Sequence, residues 1–549
     1  MEDNRSLLDR LNEKEEAEGL DKAETKTEDN KDNKKSSSSK SSKNKKSINT
    51  DNAEKVIWGA CGFLGAIFLI MLIVFISRTA GAKKEDKNPI DLGSASVTTS
   101  QTGAGNSEVT GEAGNNSSQG EQTGNIVSSE KGQPVVFTSN DSQSKEGDWL
   151  FVEGNQIVDR EGKPVWLTGI NWFGYNTGTN CFDGLWACDL NSSIDAIADH
   201  GFNLLRIPIS TELLLQWKNG EYPSANFNQA TNDYLVGMNS LEIFNYVLDR
   251  CEQNGIKVML DVHCAKTDAS GHNVNLWTNG DITEQDFIDA WVWVAETYKD
   301  NDTIIAFDLE NEPHGKPFEE EKAIWNDSTD SNNWKYVAEK TAAAIFEKNP
   351  NVLIVVEGLE IYPVDIKTNG DYHSTDEDDY YFSWWGGNLR GVKDYPVDLG
   401  EFNNKLVYSP HDYGPTVYQQ PWFYDGYDYD SLMADCWHDN WFYIYEENTA
   451  PILIGEWGGF MTEPNLTWMT HLRTLIGKYH LNYTFWCFNS NSGDTGGMVL
   501  DDFTTWDDEK YEFVKEVLWQ QDGKFVGLDH EVPLGKNGIS LSDAEYEKW

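Results

Sequence analysis

The sequence predicts an α/β domain of the (β/α)8 type, a TIM barrel, beginning near residue 148. Three observations carry this. Apolar runs of strand length recur eight times between residues 165 and 488, and runs that are continuously apolar, instead of alternating, belong to strands buried on both faces of a parallel sheet. Amphipathic segments such as SLEIFNYVLDRCEQNG and NWKYVAEKTAAAIFEKN fall between the runs, where a parallel sheet needs crossovers. About 400 residues remain for the domain, which suits a barrel with loop insertions.

The chain begins with a different texture. Residues 1–55 carry 14 acidic and 13 basic side chains with few apolar ones, and residues 36–46 are almost only Ser and Lys. That composition predicts a disordered cytoplasmic tail. Val56 to Ser77 follow as 22 residues without a charge, about 33 Å as a helix and long enough to span a bilayer. Lysines flank the run on both sides, so charge alone does not orient it. The alternative is a signal segment cleaved near Ala82, after the small-residue pattern Ala80-Gly81-Ala82. Residues 78–147 are rich in Ser, Thr, Gly and Asn, a flexible linker with a root-mean-square span of roughly 40–45 Å.

Within the domain, DWLFVEGNQIVDREGKPVWL reads as a hairpin that plugs the barrel floor. The eight strands are then placed at VWLTGINW (165–172), NLLRIPI (203–209), IKVMLDVH (256–263), TIIAFDLE (303–310), NVLIVVEG (351–358), KLVYSPHD (405–412), PILIGEW (451–457) and YTFWCF (483–488). No role follows from the sequence after about residue 520.

Charge narrows the function. The formal net charge is −48, nearly all of it beyond residue 55, with no compensating basic stripe; such a surface repels nucleic acid and other polyanions and leaves a neutral substrate. The 22 Trp exceed what periodic helices use, and an exposed indole offers a flat platform to the apolar face of a sugar. Cys61 lies in the apolar run; among Cys181, Cys188, Cys251, Cys264, Cys436 and Cys487 no spacing suggests a metal. The sequence leaves room for one disulfide, with Cys181 to Cys188 and Cys181 to Cys264 as the candidates and nothing to choose between them. The acidic stretch at 365–383 reads as a solvated loop in preference to a calcium site.

Two glutamates concentrate the chemistry. Glu312 closes TIIAFDLENEP and Glu456 closes APILIGEW, so each lies just past a buried strand, on the face where a barrel keeps its catalytic groups. Hydrolysis of a glycosidic bond needs two such carboxyl groups, one to protonate the departing oxygen and one to attack or to activate water. Arg206, His263, Asn311, His411, Tyr413 and Trp486 stand at other strand ends and converge on the same face.

At these residues the chain resembles glycoside hydrolase family 5. The resemblance rests on LRIP (205–208), LDVH (260–263), FDLENEPHG (307–315), SPHDY (409–413), LIGEWGG (453–459) and YTFWCFN (483–489), and extends over about residues 148–520. TGINWFG, WWGGNLRG and SGDTGGM add a likeness to bacterial endo-1,4-β-glucanases. The resemblance implies a retaining enzyme with Glu456 as nucleophile, ionised beside Arg206 and oriented by Tyr413, and Glu312 as acid/base. It implies that Asn311 binds the sugar 2-hydroxyl, that His263, His411 and Trp486 shape the central subsite, and that Trp186, Trp384, Trp385, Tyr418 and Gln420 contact sugars along the cleft. No cofactor or metal is implied. The expected partners are a β-glucan and, through residues 56–77, a membrane, with the catalytic domain outside the cell. Mannan, xyloglucan and mixed-linkage glucan are alternative substrates; a non-catalytic carbohydrate-binding surface protein is an alternative of another class.

Overall fold

The computed structural model of the chain describes residues 7–18, 146–268 and 271–545. All eight expected runs contain strands: β1 (Thr168–Asn171), β2 (Leu204–Ser210), β3 (Lys257–Cys264), β4 (Ile304–Asp308), β5 (Leu353–Glu357), β6 (Leu406–Ser409), β7 (Leu453–Ile454) and β8 (Asn482–Phe485). Each is buried along its whole length, as the unbroken apolar runs require. They form one sheet in the order β6-β5-β4-β3-β2-β1-β8-β7, every neighbouring pair parallel. The seam between β6 and β7 is bridged by Tyr408 with Ile452 and His411 with Glu456, so the sheet curls into a nearly closed barrel. β7 is short because its run opens on Pro451, which has no N–H to give a ladder.

The crossover helices follow from their sequences. Ser240–Gln253 opens on a capping box between Asn239 and Glu242 and buries Ile243, Phe244, Val247, Leu248 and Cys251 against the sheet. Glu284–Thr297 opens the same way, on Thr283 and Asp286. The expected floor hairpin exists: Phe151–Glu153 pairs antiparallel with Gln156–Val158. Buried Lys405, just before β6, donates to Leu150 O at 2.6 Å, which holds the hairpin under the N-terminal ends of the strands.

Three readings need amendment. The stretch after residue 520 is part of the domain. Asp529 and Asp148 together pair Lys257 at the start of β3, at 2.9 and 2.6 Å, and Val526, Leu528 and Leu534 are buried. Residues 7–18 of the tail form a helix on the outer wall of the barrel domain: Leu11 is buried, Lys14 pairs with Asp327, and Tyr336 donates to Glu15. Apolar Leu7, Leu8 and Leu11 give that segment the one-sided face that the surrounding polar residues lack. No disulfide forms among the described residues. All six cysteines there are free, and the Cys181 and Cys264 sulfurs turn to the carbonyls of Asn226 and Lys266, at 3.4 and 3.0 Å. Among the described residues no helix is long and apolar enough to cross a membrane. The run at 56–77, the linker before residue 146 and the rest of the tail lie outside the described residues.

Candidate active site

Eight parallel strands deliver their C-terminal residues to one mouth, and a buried guanidinium organises it. Arg206, on β2, has no solvent exposure, and its donors are matched by an array of acceptors. Nε donates to Asp308 at 2.9 Å; Nη1 to Glu456 Oε1 at 2.8 Å and Asn171 at 3.0 Å; Nη2 to Glu357 Oε1 and to Asn311 Oδ1, each at 3.1 Å. A charge this deep survives only because it is so fully paired. Burial opposes it, but Asp261, Asp308, Glu456 and Glu357 hold its proton affinity well above the ordinary arginine value.

Glu456 lies just past β7. Tyr413 donates to its Oε2 at 2.5 Å, and Arg206 holds the other oxygen. Burial favours the neutral form, yet the charges of His411, Arg206 and His263 and the Tyr413 hydroxyl outweigh it, so the carboxyl stays below the usual range. Glu312, past β4, is treated differently. Burial, with the nearby Glu456 and Glu357 charges, pushes its pKa up to about 7 against the pull of His411. One carboxylate oxygen from each lies within 4.8 Å of the other, and His411 Nδ1 stands between them, 2.8 Å from Glu312 Oε1 and 3.7 Å from Glu456 Oε2. Two carboxyl groups face each other, one inclined to keep its proton and one to lose it.

The supporting side chains have definite partners. His411 Nδ1 lies 2.8 Å from Glu312 Oε1, and its Nε2 3.1 Å from Glu357 Oε1. These carboxylates, with Glu456, overcome burial and keep the imidazole protonated. His263 Nδ1 faces Asp261 at 2.7 Å, which leaves Nε2 for a ligand, and its ring lies parallel to Trp486, centroids 5.5 Å apart. Phe173 lies 5.4 Å from the same indole and nearly parallel to it. Asn311 receives Arg206 on its oxygen, but its buried Nδ2 has no protein partner: a donor held ready for a hydroxyl.

The five cleft candidates separate. Trp385 stacks on His314 at 3.8 Å and 5° and is only half-buried, so His314 covers one indole face while part of the ring stays exposed. Trp186 and Tyr418 are exposed, at 39% and 66%; Trp186, in the loop after β1, leans edge-on against Phe503 from the loop after β8. Gln420 is buried, and its carbonyl accepts from Phe423 N. Trp384 is buried and meets Tyr413 edge-on at 6.1 Å. Its placement supports Tyr413 and offers no open face to a sugar, because the neighbouring Trp422 and Phe423 close the pocket around it.

Sequence reasoning passed over Asn171, Asp261, Asp308, His314 and Glu357. Glu357 gave a readable signal: it closes the apolar run LIVVE before a glycine, as Glu456 closes its own run.

The family model for cellulase, glycosyl hydrolase family 5, matches residues 158–492. Endoglucanase G of Acetivibrio thermocellus is 50% identical over 436 residues, 73% of this chain and 76% of that protein. An endoglucanase of Paenibacillus polymyxa is 37% identical, covering 69% of this chain and 89% of its own. Among solved structures, a cellotetraose complex of an endocellulase from Pyrococcus horikoshii superposes with a TM-score of 0.59 at 32% identity, over 68% of this chain and 98% of that one. With its barrel, its paired carboxyl groups and these relatives, the chain is an enzyme that belongs to glycosyl hydrolase family 5, the cellulases.

Proposed function

We propose that the enzyme is a retaining endo-β-1,4-glucanase that cleaves cellulose and related β-glucans, with Glu456 as nucleophile and Glu312 as acid/base. The observation that carries this is the facing pair, with oxygens within 4.8 Å and proton affinities driven in opposite directions. Retaining glycosidases hold their carboxyl groups about 5–5.5 Å apart, too close for a water to intervene; inverting ones leave about 6.5–9.5 Å.

In the first step Glu456 attacks the anomeric carbon as the bond to the leaving oxygen breaks and Glu312 gives that oxygen its proton. In the second, Glu312 takes a proton from water, the water oxygen bonds to the anomeric carbon, and Glu456 departs. Arg206 and Tyr413 aim Glu456, while Asn311 Nδ2 is free to bond the 2-hydroxyl, a contact that strengthens as positive charge develops on the ring. The endoglucanase names of the relatives and the cellotetraose in the archaeal enzyme support a β-1,4-glucan substrate.

The experiment is digestion of soluble cellulose, mannan, xyloglucan and mixed-linkage glucan, with NMR of the first product. Internal cleavage of cellulose with the β-anomer appearing first supports the proposal. An α-anomer first overturns retention, preference for mannan reassigns the substrate, and binding without sugar release returns the chain to the non-catalytic class.

A polymer cannot enter a cell, so we place the catalytic domain outside it, attached through residues 56–77. A single crossing there puts the tail and the barrel on opposite sides, whereas residues 7–18 here lie on the barrel domain's own wall. Protease added to intact cells decides between them. A released domain with a protected tail supports the crossing; digestion of both puts tail and barrel on one side and overturns it.

A further inference from the structure

We propose that Glu357 is a positioning residue for Glu312, fixing the acid/base carboxyl from behind through both its backbone and its histidine. The inference rests on the acid/base role given to Glu312 above.

Three features assign this. Glu357 Oε2 accepts from the backbone N–H of Glu312 at 2.8 Å. Glu312 has φ of +53°, a left-handed conformation that residues with a Cβ enter at a cost and keep only where the surroundings impose it. The other oxygen, Oε1, lies 3.1 Å from His411 Nε2, and His411 Nδ1 is the group bonded to the Glu312 carboxyl. One buried carboxylate therefore holds the main chain of Glu312 with one oxygen and steadies the side chain, through the imidazole, with the other. The third feature is Gly386, whose missing side chain makes room: a Cβ there would strike Glu357 Oε2 and touch Glu312 Cγ. The main chain that carries Glu357 is fixed as well, since Trp334 Nε1 donates to its carbonyl at 3.0 Å.

The simpler account is that Glu357 only balances the charge of Arg206, to which Oε1 also binds. The two accounts differ in what they do to a leaving group. A disturbance passed through Arg206 reaches the nucleophile Glu456 and slows every substrate alike. A disturbance of Glu312 weakens protonation, which matters for a sugar alcohol and hardly at all for an acidic phenol.

The test replaces Glu357→Gln in the full chain. An amide puts a donor opposite either the Glu312 N–H or the Arg206–His411 side, so at least one of these contacts fails. We expect kcat/KM on cellotetraose to fall about tenfold more than on 2,4-dinitrophenyl β-cellobioside, and the same change added to Glu312→Ala to cost the dinitrophenyl substrate little. Equal losses on the two substrates, no loss on either, or a full loss in the Glu312→Ala background would overturn the inference. If Glu312→Ala itself showed no leaving-group dependence, the acid/base reading would fail instead. Should Glu357→Gln not fold, Glu357→Asp keeps the charge, withdraws the oxygens by one methylene and is read by the same ratio.

Discussion

His411 Nδ1 lies 2.8 Å from Oε1 of Glu312, and the imidazole bearing it is fully buried. Glu357 and Glu456 face the same ring, so its proton is held well past the ordinary histidine value. On the proposed roles, the acid/base carboxyl works beside a fixed cation. Burial carries its pKa to about 7 in spite of that cation, while Glu456 stays low.

A bell-shaped dependence of kcat/KM on pH follows. As the proposed acid/base, Glu312 must be protonated to act, so activity falls as pH rises through about 7; as the proposed nucleophile, Glu456 must be ionised, so activity falls only below the ordinary glutamate range. Replacing His411→Gln removes a positive charge that lowers both pKa values, and both limbs should move to higher pH. Initial rates across the range check this, and a downward move of either limb would contradict the charge on His411.

Neighbouring tryptophans should behave differently. Trp385 is half-exposed on its stack with His314, so Trp385→Ala should raise KM for cello-oligosaccharides by about tenfold, roughly what burying part of a ring contributes, with kcat little changed. Trp384 is enclosed, and Trp384→Ala should chiefly lower the melting temperature, at a cost of about 3–5 kcal/mol. Steady-state kinetics and thermal melts on both variants separate the roles.

Much of this was legible because it depends on local pattern. A buried strand writes itself as a run such as TIIAFDLE, and a carboxylate that ends such a run can only face the mouth, so Glu312, Glu456 and the eight strands could be read directly. Contacts between distant segments could not. Glu357 meets Arg206 across 151 positions, and nothing near it in sequence shows that it will hold Glu312. Adjacent Trp384 and Trp385 look equivalent until the loop after β5 turns one inward. Lys257 opens a strand as an exposed lysine would, and only the returning residues 529 and 148 explain its burial.

That return is itself testable. Ending the chain at residue 520 leaves Lys257 with half its pairing and exposes Val526 and Leu528's counterparts in the barrel floor; breaking a buried pair costs about 3–5 kcal/mol. A domain of residues 148–545 should melt well above one of 148–520. His530 adds a pH signature. Its contact with Asp148, against the cost of burial, raises it from 6.5 to about 9, so its stabilisation is complete below 6.5 and lost as pH rises through about 9. His530→Ala should remove that loss; an unchanged pH dependence of melting would refute the assignment.

The two catalytic carboxyl groups make different demands on a substrate, which allows their roles to be told apart. Glu456→Ala removes bond formation to the anomeric carbon, so no β-glycoside should turn over appreciably, whatever its leaving group. Glu312→Ala removes only proton transfer, commonly about 10² to 10⁴ in rate. A dinitrophenyl glycoside departs without that help, so the glycosyl-enzyme should still form, then wait for water that nothing activates. Azide needs no base. It fits the space vacated at Glu312, attacks from that face and should speed release of the Glu312→Ala enzyme as a β-glycosyl azide, visible by NMR. If azide instead drew the β-azide from Glu456→Ala and the α-azide from Glu312→Ala, the nucleophile and the acid/base would have to be exchanged, although the low proton affinity imposed on Glu456 by His411 and Arg206 argues against that outcome.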